Sequence, residues 1–316
     1  MTKNLSSIES INSLDDLVQF AYKFKKKPDN PDYQKLYQIK KQLFKLNSLI
    51  GLESLKNDIM YQILFIIQNF NNDEMMHTCL MGPPGVGKTT IAKIIGEIYT
   101  VLGNLSKGTF RTVGREDLVA EYLGQTATKT KKILNSSLGG VLFIDEAYSL
   151  GNSSDKDSYS KECIDTINKF LTENTKDFIC IIAGYEHELN KYFFGSNPGL
   201  DRRFPWKYVI EPYTSSNLTS IFDFQLKKDK WKILKPSNLV YLQDVINTNK
   251  HLFLNNGGDV YNLITCCKIM HGKRMFGQPK TWKRYLSKQD LDDGLNLFIK
   301  HKSKNPVDNP PLSMYS

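Results

Sequence analysis

Residues 82 to 90 read Gly-Pro-Pro-Gly-Val-Gly-Lys-Thr-Thr, and Gly82, Gly87, Lys88 and Thr89 fill the fixed positions of the pattern G-x-x-x-x-G-K-[ST]. A loop of this kind constrains the fold around it, because it has to leave a strand and enter a helix whose N-terminus meets the ligand. Both flanks are present: His77-Thr78-Cys79-Leu80-Met81 is strand-like, and Ile91, Ile94, Ile95 and Ile98 recur near helical spacing. A backbone that wraps a polyphosphate turns its N–H groups inward, and side chains at Gly82, Gly85 or Gly87 would obstruct that approach. Lys88 then supplies a point charge to the β and γ phosphates, and Thr89 offers a hydroxyl to Mg²⁺. The expected nucleotide contacts are Gly82, Pro83, Pro84, Gly85, Val86, Gly87, Lys88, Thr89 and Thr90.

About fifty residues further on, Gly140-Val141-Leu142-Phe143-Ile144-Asp145-Glu146 has the form of a buried parallel strand ending in two acids. Alone, such a run is an ordinary strand leaving a core. After a phosphate loop it reads as the second half of one site, with Asp145 on Mg²⁺ through water and Glu146 polarising the attacking water.

The remaining composition limits the alternatives. With 316 residues, 40% apolar and 11% aromatic, the chain is globular and long enough for more than one unit. No apolar run approaches the ~18 residues that span a bilayer, and the opening MTKNLSSIES lacks an apolar signal core, so a cytoplasmic or nuclear protein without membrane partners is expected. Five cysteines without C-x-x-C spacing suggest neither a zinc site nor a disulfide framework, and the five histidines show no ligand spacing. The formal charge of +9 is spread along the chain instead of gathered in a stripe, so nucleic acid is a possible but not a favoured partner.

Four segments follow from periodicity. Residues 1–47 form an N-terminal helical arm: Ser13-Leu14-Asp15-Asp16 resembles a capping box and opens a helix that stops before Pro28, and a second helix covers Tyr33 to Leu46. Its apolar faces need a partner, either the main domain or another subunit. Residues 48–212 alternate helices with short apolar strands, Thr109 to Val113, Gly140 to Ile144 and Phe178 to Ala183 among them, which is the pattern of an α/β domain. Helical periodicity dominates 213–301, and the proline-rich 302–316 is expected to be a disordered tail.

The order of these motifs resembles the AAA+ ATPases, and within them the branch containing stage V sporulation protein K and the red-type Rubisco activases. The resemblance runs from about Leu46 to Ile299. Besides the loop and the acidic strand, it is carried by Leu49-Ile50-Gly51-Leu52, Val113-Gly114-Arg115-Glu116-Asp117-Leu118, Tyr122-Leu123-Gly124, Ala183-Gly184-Tyr185 and Asn197-Pro198-Gly199-Leu200. It implies a P-loop NTPase parallel sheet sandwiched by helices, followed by a small all-helical lid domain. It implies ATP and Mg²⁺ as ligands, a homo-oligomer that is a hexamer in this family, and a protein client of unknown identity.

Residue by residue, the likeness puts Ile50 and Gly51 against the adenine, although Ile50 as plain core is equally compatible. Tyr122, Leu123 and Gly124 correspond to a loop lining a central pore, where an aromatic ring grips extended polypeptide; internal packing of Tyr122 is the alternative. Arg203, next to Phe204, is the preferred arginine finger, with Arg202 the alternative and a surface ion pair a third reading. Tyr185 falls where many relatives sense the γ-phosphate, or else it packs. Where relatives begin a lid helix with Gly-Asn-Ala-Arg, this chain has Gly257-Gly258-Asp259-Val260, so the lid arginine is missing unless Lys268, Lys273 or Arg274 substitutes. The expected activity is ATP hydrolysis driving the remodelling or threading of a protein. The alternatives are a nucleic-acid-associated ATPase of clamp-loader or helicase type, and a nucleotide-switched scaffold with little turnover.

Overall fold

The first helices begin where capping chemistry permits. Ser13 Oγ accepts from Asp16 N while the Asp16 carboxylate accepts from Ser13 N, a closed capping box that starts α1 (Leu14–Lys23). Asn30 accepts from the N–H groups of Asp32 and Tyr33, and Pro31 occupies the first turn of α2 (Pro31–Asn47). That cap starts the helix two residues before its apolar pattern does. A computed structural model of the chain describes residues 11–70, 74–122, 124–151, 158–278 and 283–304.

These helices do not wait for another subunit. Leu17, Ala21, Ile39 and Leu43 are buried. The N–H of Leu14 donates to Asn57 Oδ1 at 3.1 Å on α3 (Glu53–Ile67), and Lys45 pairs with Glu97 at 2.7 Å on α4 (Lys88–Val101). The arm therefore buries its apolar stripe on the same body that carries the sheet.

That sheet has five strands: β1 (Thr78–Met81), β2 (Phe110–Val113), β3 (Val141–Ile144), β4 (Ile179–Gly184) and β5 (Trp206–Val209). Their order is β2-β3-β4-β1-β5 and every pairing is parallel. An all-parallel sheet is stable only with both faces covered, which accounts for the unbroken apolar runs in β3 and β4. Leu142, Ile144, Cys180 and Ile182 share one core with Leu134 of α6 (Thr126–Ser136) and Ile164, Ile167 and Leu171 of α7 (Ser158–Glu173). Val141 faces the other side, where Gly96 lets α4 come close. Ile91, Ile94, Ile95 and Ile98 of α4 are all buried. The short helices α5 (Arg115–Leu118) and α8 (Glu186–Glu188) follow β2 and β4. Strand β5 buries only Tyr208, too little pattern to read in the sequence.

By contacts the chain separates into two units, the first comprising residues up to Gly82 and Gly87–Glu211, the second Pro83–Val86 and the chain from Pro212 onward. The second unit holds α9 (Ser215–Lys228), α10 (Ser237–Thr248), α11 (Gly257–Arg274) and α12 (Lys288–Lys304) around Leu218, Phe222, Leu242, Ile246, Leu263 and Phe298. Its helical character is interrupted, among the described residues, by a parallel pair of two-residue strands, β6 (Lys232–Ile233) and β7 (Tyr285–Leu286). Two residues carry no alternation, so periodicity does not reveal them. Helix α12 runs to Lys304, three residues past the expected end of the helical segment; residues 305–316, most of the expected tail, lie outside the described ones. Among the described residues no helix is long and apolar enough to cross a membrane.

Candidate functional site

Strand β1 is flanked by β4 and β5, and its carboxyl end runs into the loop at residues 82–87. The N–H of Gly82 donates to the Gly184 carbonyl at the end of β4, which fixes the loop's departure. The loop's glycines have reasons beyond ligand access. A Cβ on Gly85 would stand 2.0 Å from the Asn255 carbonyl oxygen, and its φ is +72°. Gly87 has φ of +91° with no protein atom near the missing Cβ, so within the protein it is backbone conformation that demands glycine there.

Lys88 opens α4 and is only 8% exposed. Its Nζ donates back across the loop to the Gly82 carbonyl at 2.8 Å and lies 5.7 Å from the centre of the Tyr185 ring. Burial pushes the ammonium below its ordinary pKa, while the charges of Glu146 and Asp145 oppose that shift. Thr89 is half-buried and Thr90 exposed.

Both acids follow β3 directly. The N–H of Asp145 donates to the Val113 carbonyl and the N–H of Glu146 to Asp145 Oδ1, at 3.2 and 3.1 Å. Glu146 adopts the left-handed region, φ 51° and ψ 43°, a conformation a non-glycine residue holds at a cost of about 1–2 kcal/mol. Burial, then the Asp145 charge, raises its carboxyl above the ordinary range; Lys88 opposes and Glu188 adds to the rise. Tyr185 is half-buried, its ring 5.7 Å from that of Tyr148, and its hydroxyl is raised by burial and then by Glu146 and Glu188. Lys88, Asp145, Glu146 and Tyr185 thus form one electrostatic cluster at the carboxyl edge of the sheet, where open parallel sheets bind ligands.

Ile50 and Gly51 occupy the turn between α2 and α3, both half-buried, so Ile50 is not a fully buried core residue. Arg202 is exposed. Arg203 ends a short 3-10 turn, with Nη1 4.0 Å from Met75 Sδ and Nε buried without a hydrogen-bond partner among the described residues. It precedes β5, whose Trp206 is in register with Thr78, so it lies at the amino edge of the sheet and the phosphate loop at the carboxyl edge. His77, also at that amino edge, is buried and accepts from the Cys180 N–H at 3.1 Å; burial takes its pKa down to about 4, and it stays neutral.

Tyr122 is 66% exposed, on the segment between α5 and α6; Leu123 lies outside the described residues, and Gly124 has φ of +76°. The base of that segment is pinned by Lys129 Nζ on the Glu116 and Val119 carbonyls and by Thr130 Oγ1 on the Leu118 carbonyl. Sequence reasoning gave Arg115 no role, yet its Nη1 donates to the Ser149 carbonyl and to Ser160 Oγ, both at 2.6 Å. It ties the chain just past the acids to the helix that leads into the Tyr122 segment. In the second unit, Val260 is fully buried, Lys268 pairs with Asp229, and Arg274 makes two bonds of 2.8 Å to Asp290. Two of the three cations considered as substitutes for a lid arginine are thereby engaged in ion pairs.

Comparison with known proteins agrees with this layout. The model of the ATPase family associated with various cellular activities (AAA) matches residues 78–192. A cfxQ-like protein of Acanthamoeba polyphaga mimivirus is 39% identical over 293 residues, covering 90% of this chain and 72% of the relative. Stage V sporulation protein K of Bacillus subtilis is 37% identical over 235 residues, 69% of this chain and 71% of the relative. Chloroplastic ribulose bisphosphate carboxylase/oxygenase activase of Cyanidioschyzon merolae is 32% identical over 251 residues, 77% of this chain and 84% of the relative. In fold, the FIGL-1 AAA domain in complex with ADP superposes with a TM-score of 0.58 at 19% identity, covering 85% of this chain and 87% of that one. The chain is therefore a nucleotide-binding, ATP-hydrolysing member of the AAA family, in the branch that holds stage V sporulation protein K, the CfxQ homologues and Rubisco activase.

Proposed function

We propose that this ATPase works as a ring, a hexamer, in which each nucleotide is hydrolysed at a seam between two copies and the resulting movement pulls a protein client through a central pore. The observation that carries the reading is the position of Arg203. Four strand levels of β1 and β5, about 13 Å at ~3.3 Å per residue, separate the edge where Arg203 sits from the start of its own phosphate loop. Its guanidinium, on a half-buried side chain, serves a neighbour's γ-phosphate.

The nucleotide's phosphates rest on residues 82–90 with Lys88 as the counter-charge. Glu146 orients the attacking water, since its left-handed backbone and raised carboxyl set it apart from an ordinary surface acid. The Thr89 hydroxyl and the Asp145 carboxylate are hard oxygen donors, the kind Mg²⁺ takes, and would hold that ion against the phosphates and neutralise their charge. Tyr122, exposed on a segment anchored at its base, is the gripping residue. The client's identity is a separate matter, since a shared engine does not fix the cargo.

The test is the mass of the Glu146→Gln protein with and without Mg-ATP. A ring assembled and trapped by Mg-ATP is the expected result; a protein that stays a monomer at saturating Mg-ATP overturns the proposal. Stimulation of the wild-type ATPase by single-stranded DNA, with none by an unfolded polypeptide, would transfer the engine to a nucleic-acid client.

A further inference from the structure

The phosphate loop is gripped from behind by three donors, and none of them carries a role so far. Asn256 Nδ2 donates to the Pro84 carbonyl at 3.1 Å, the N–H of Gly257 to the Gly85 carbonyl at 3.1 Å, and the Tyr213 hydroxyl to the Val86 carbonyl at 2.9 Å. All of these residues lie in the second unit. Because a trans peptide is planar, holding a carbonyl in one direction aims the N–H of the following residue in the opposite one. Three consecutive planes are held in this way, so the N–H groups of Gly85, Val86 and Gly87 all point away from the donors. Successive N–H groups aimed into one concavity make an anion-binding nest.

Asn256 shows that this grip is built deliberately. It is 2% exposed, and its φ of 46° with ψ of −115° is a conformation that residues other than glycine seldom hold. The strain persists because the residue is held on every side: its Oδ1 accepts from the Tyr213 N–H at 3.0 Å, its own N–H donates to the Phe253 carbonyl, and its carbonyl accepts from Val260 N. The turn is braced in addition by buried Asp259, which accepts from Asn255 N at 2.8 Å and pairs with Lys302 at 2.7 Å. Asn255 in turn presses its carbonyl so near Gly85 that no side chain fits there.

Resting on the reading of residues 82–90 as the phosphate-binding loop, we infer that Asn256 and Tyr213 are positioning residues for polyphosphate: they fix the carbonyls of Pro84 and Val86 so that the loop's N–H groups are aimed before nucleotide arrives. The turn that lacks an arginine for the phosphates acts on them through the loop's backbone instead.

The experiment titrates fluorescent ADP into the wild-type protein and the variants Asn256→Gly and Tyr213→Phe, well below their unfolding temperatures. Glycine suits the backbone at 256, so that variant tests the side-chain amide and not the turn. Phenylalanine keeps the ring and removes only the hydroxyl. Each variant loses one hydrogen bond to the loop and is expected to bind about five- to tenfold more weakly for it, while the nucleotide-free protein remains folded. A role confined to stability would lower the unfolding temperature and leave the affinity of the folded protein unchanged. Wild-type affinity in both variants overturns the inference; if Asn256→Gly does not fold, Tyr213→Phe alone decides. Lys88→Ala separates the two levels: if it retains tight binding, the loop reading beneath the inference fails instead.

Discussion

Mixing two differently disabled copies tests whether the hydrolytic site is shared. Under the shared-site proposal, the Arg203→Ala protein keeps its own Lys88, Asp145 and Glu146 but cannot complete a neighbour's site, and Glu146→Gln keeps the arginine but not the base. Loss of a finger in this position lowers turnover about 10³- to 10⁵-fold, equivalent to roughly 4–7 kcal/mol of transition-state stabilisation at 1.36 kcal/mol per decade. Each variant alone is therefore expected to be nearly inactive. In a random equimolar ring, a productive seam needs an intact Glu146 facing an intact Arg203. Each occurs with a probability of one half, so about a quarter of the seams work in a head-to-tail assembly. A steady-state phosphate-release assay on the mixture should recover about a quarter of the wild-type rate, starting from two samples each at least a hundredfold lower. The strand register favours this outcome, because it puts Arg203 at the amino edge of the sheet and its own loop at the carboxyl edge. A mixture as inactive as its components, or an Arg203→Ala protein with normal turnover, refutes the reasoning.

Three further outcomes are expected. Tyr122→Ala removes an exposed side chain, so the unfolding temperature and basal hydrolysis should barely change (within about 0.5 kcal/mol of stability), while stimulation of the ATPase by an unfolded polypeptide disappears; stimulation that persists removes the gripping role. As the proposed base, Glu146 acts only when ionised, and burial followed by the Asp145 charge raises its pKa in the free enzyme, so the acid limb of the kcat/KM–pH profile should lie above the ordinary glutamate range. The sign for stability is the reverse: a carboxyl with a raised folded pKa stabilises the fold when protonated, and that contribution is lost as pH rises through the raised value. Thermal unfolding of Glu146→Gln against wild type across that window checks it, the variant being relatively more stable on the alkaline side.

How far the site could be read in the sequence depended on whether its parts were contiguous. Residues 82–90 and 140–146 are local runs whose period and punctuation already give strand, turn and helix, and β1, α4 and β3 formed around them. Strand β5 buries one side chain in four residues and β6 spans two, so neither carries a periodic signal. Arg115 and Asn256 donate to carbonyls that lie, respectively, 34 and 172 residues away in the chain. No spacing rule reaches across such distances.

Contiguous residues already specify the chemistry that has to be present: a glycine-rich loop with a lysine and a threonine, a strand ending in paired acids, and enough apolar periodicity for helices on both faces of a parallel sheet. They also determine the family, because several such motifs in a fixed order leave few alternatives. Three-dimensional packing alone put Arg203 at the sheet edge opposite its own loop, closed the N-terminal helices on α3 and α4, and gave the space at Gly85 to the Asn255 carbonyl. The physical reason is range: side-chain periodicity and turn chemistry act over a few residues, whereas strand register and buried hydrogen bonds join segments whose separation along the chain leaves no local trace.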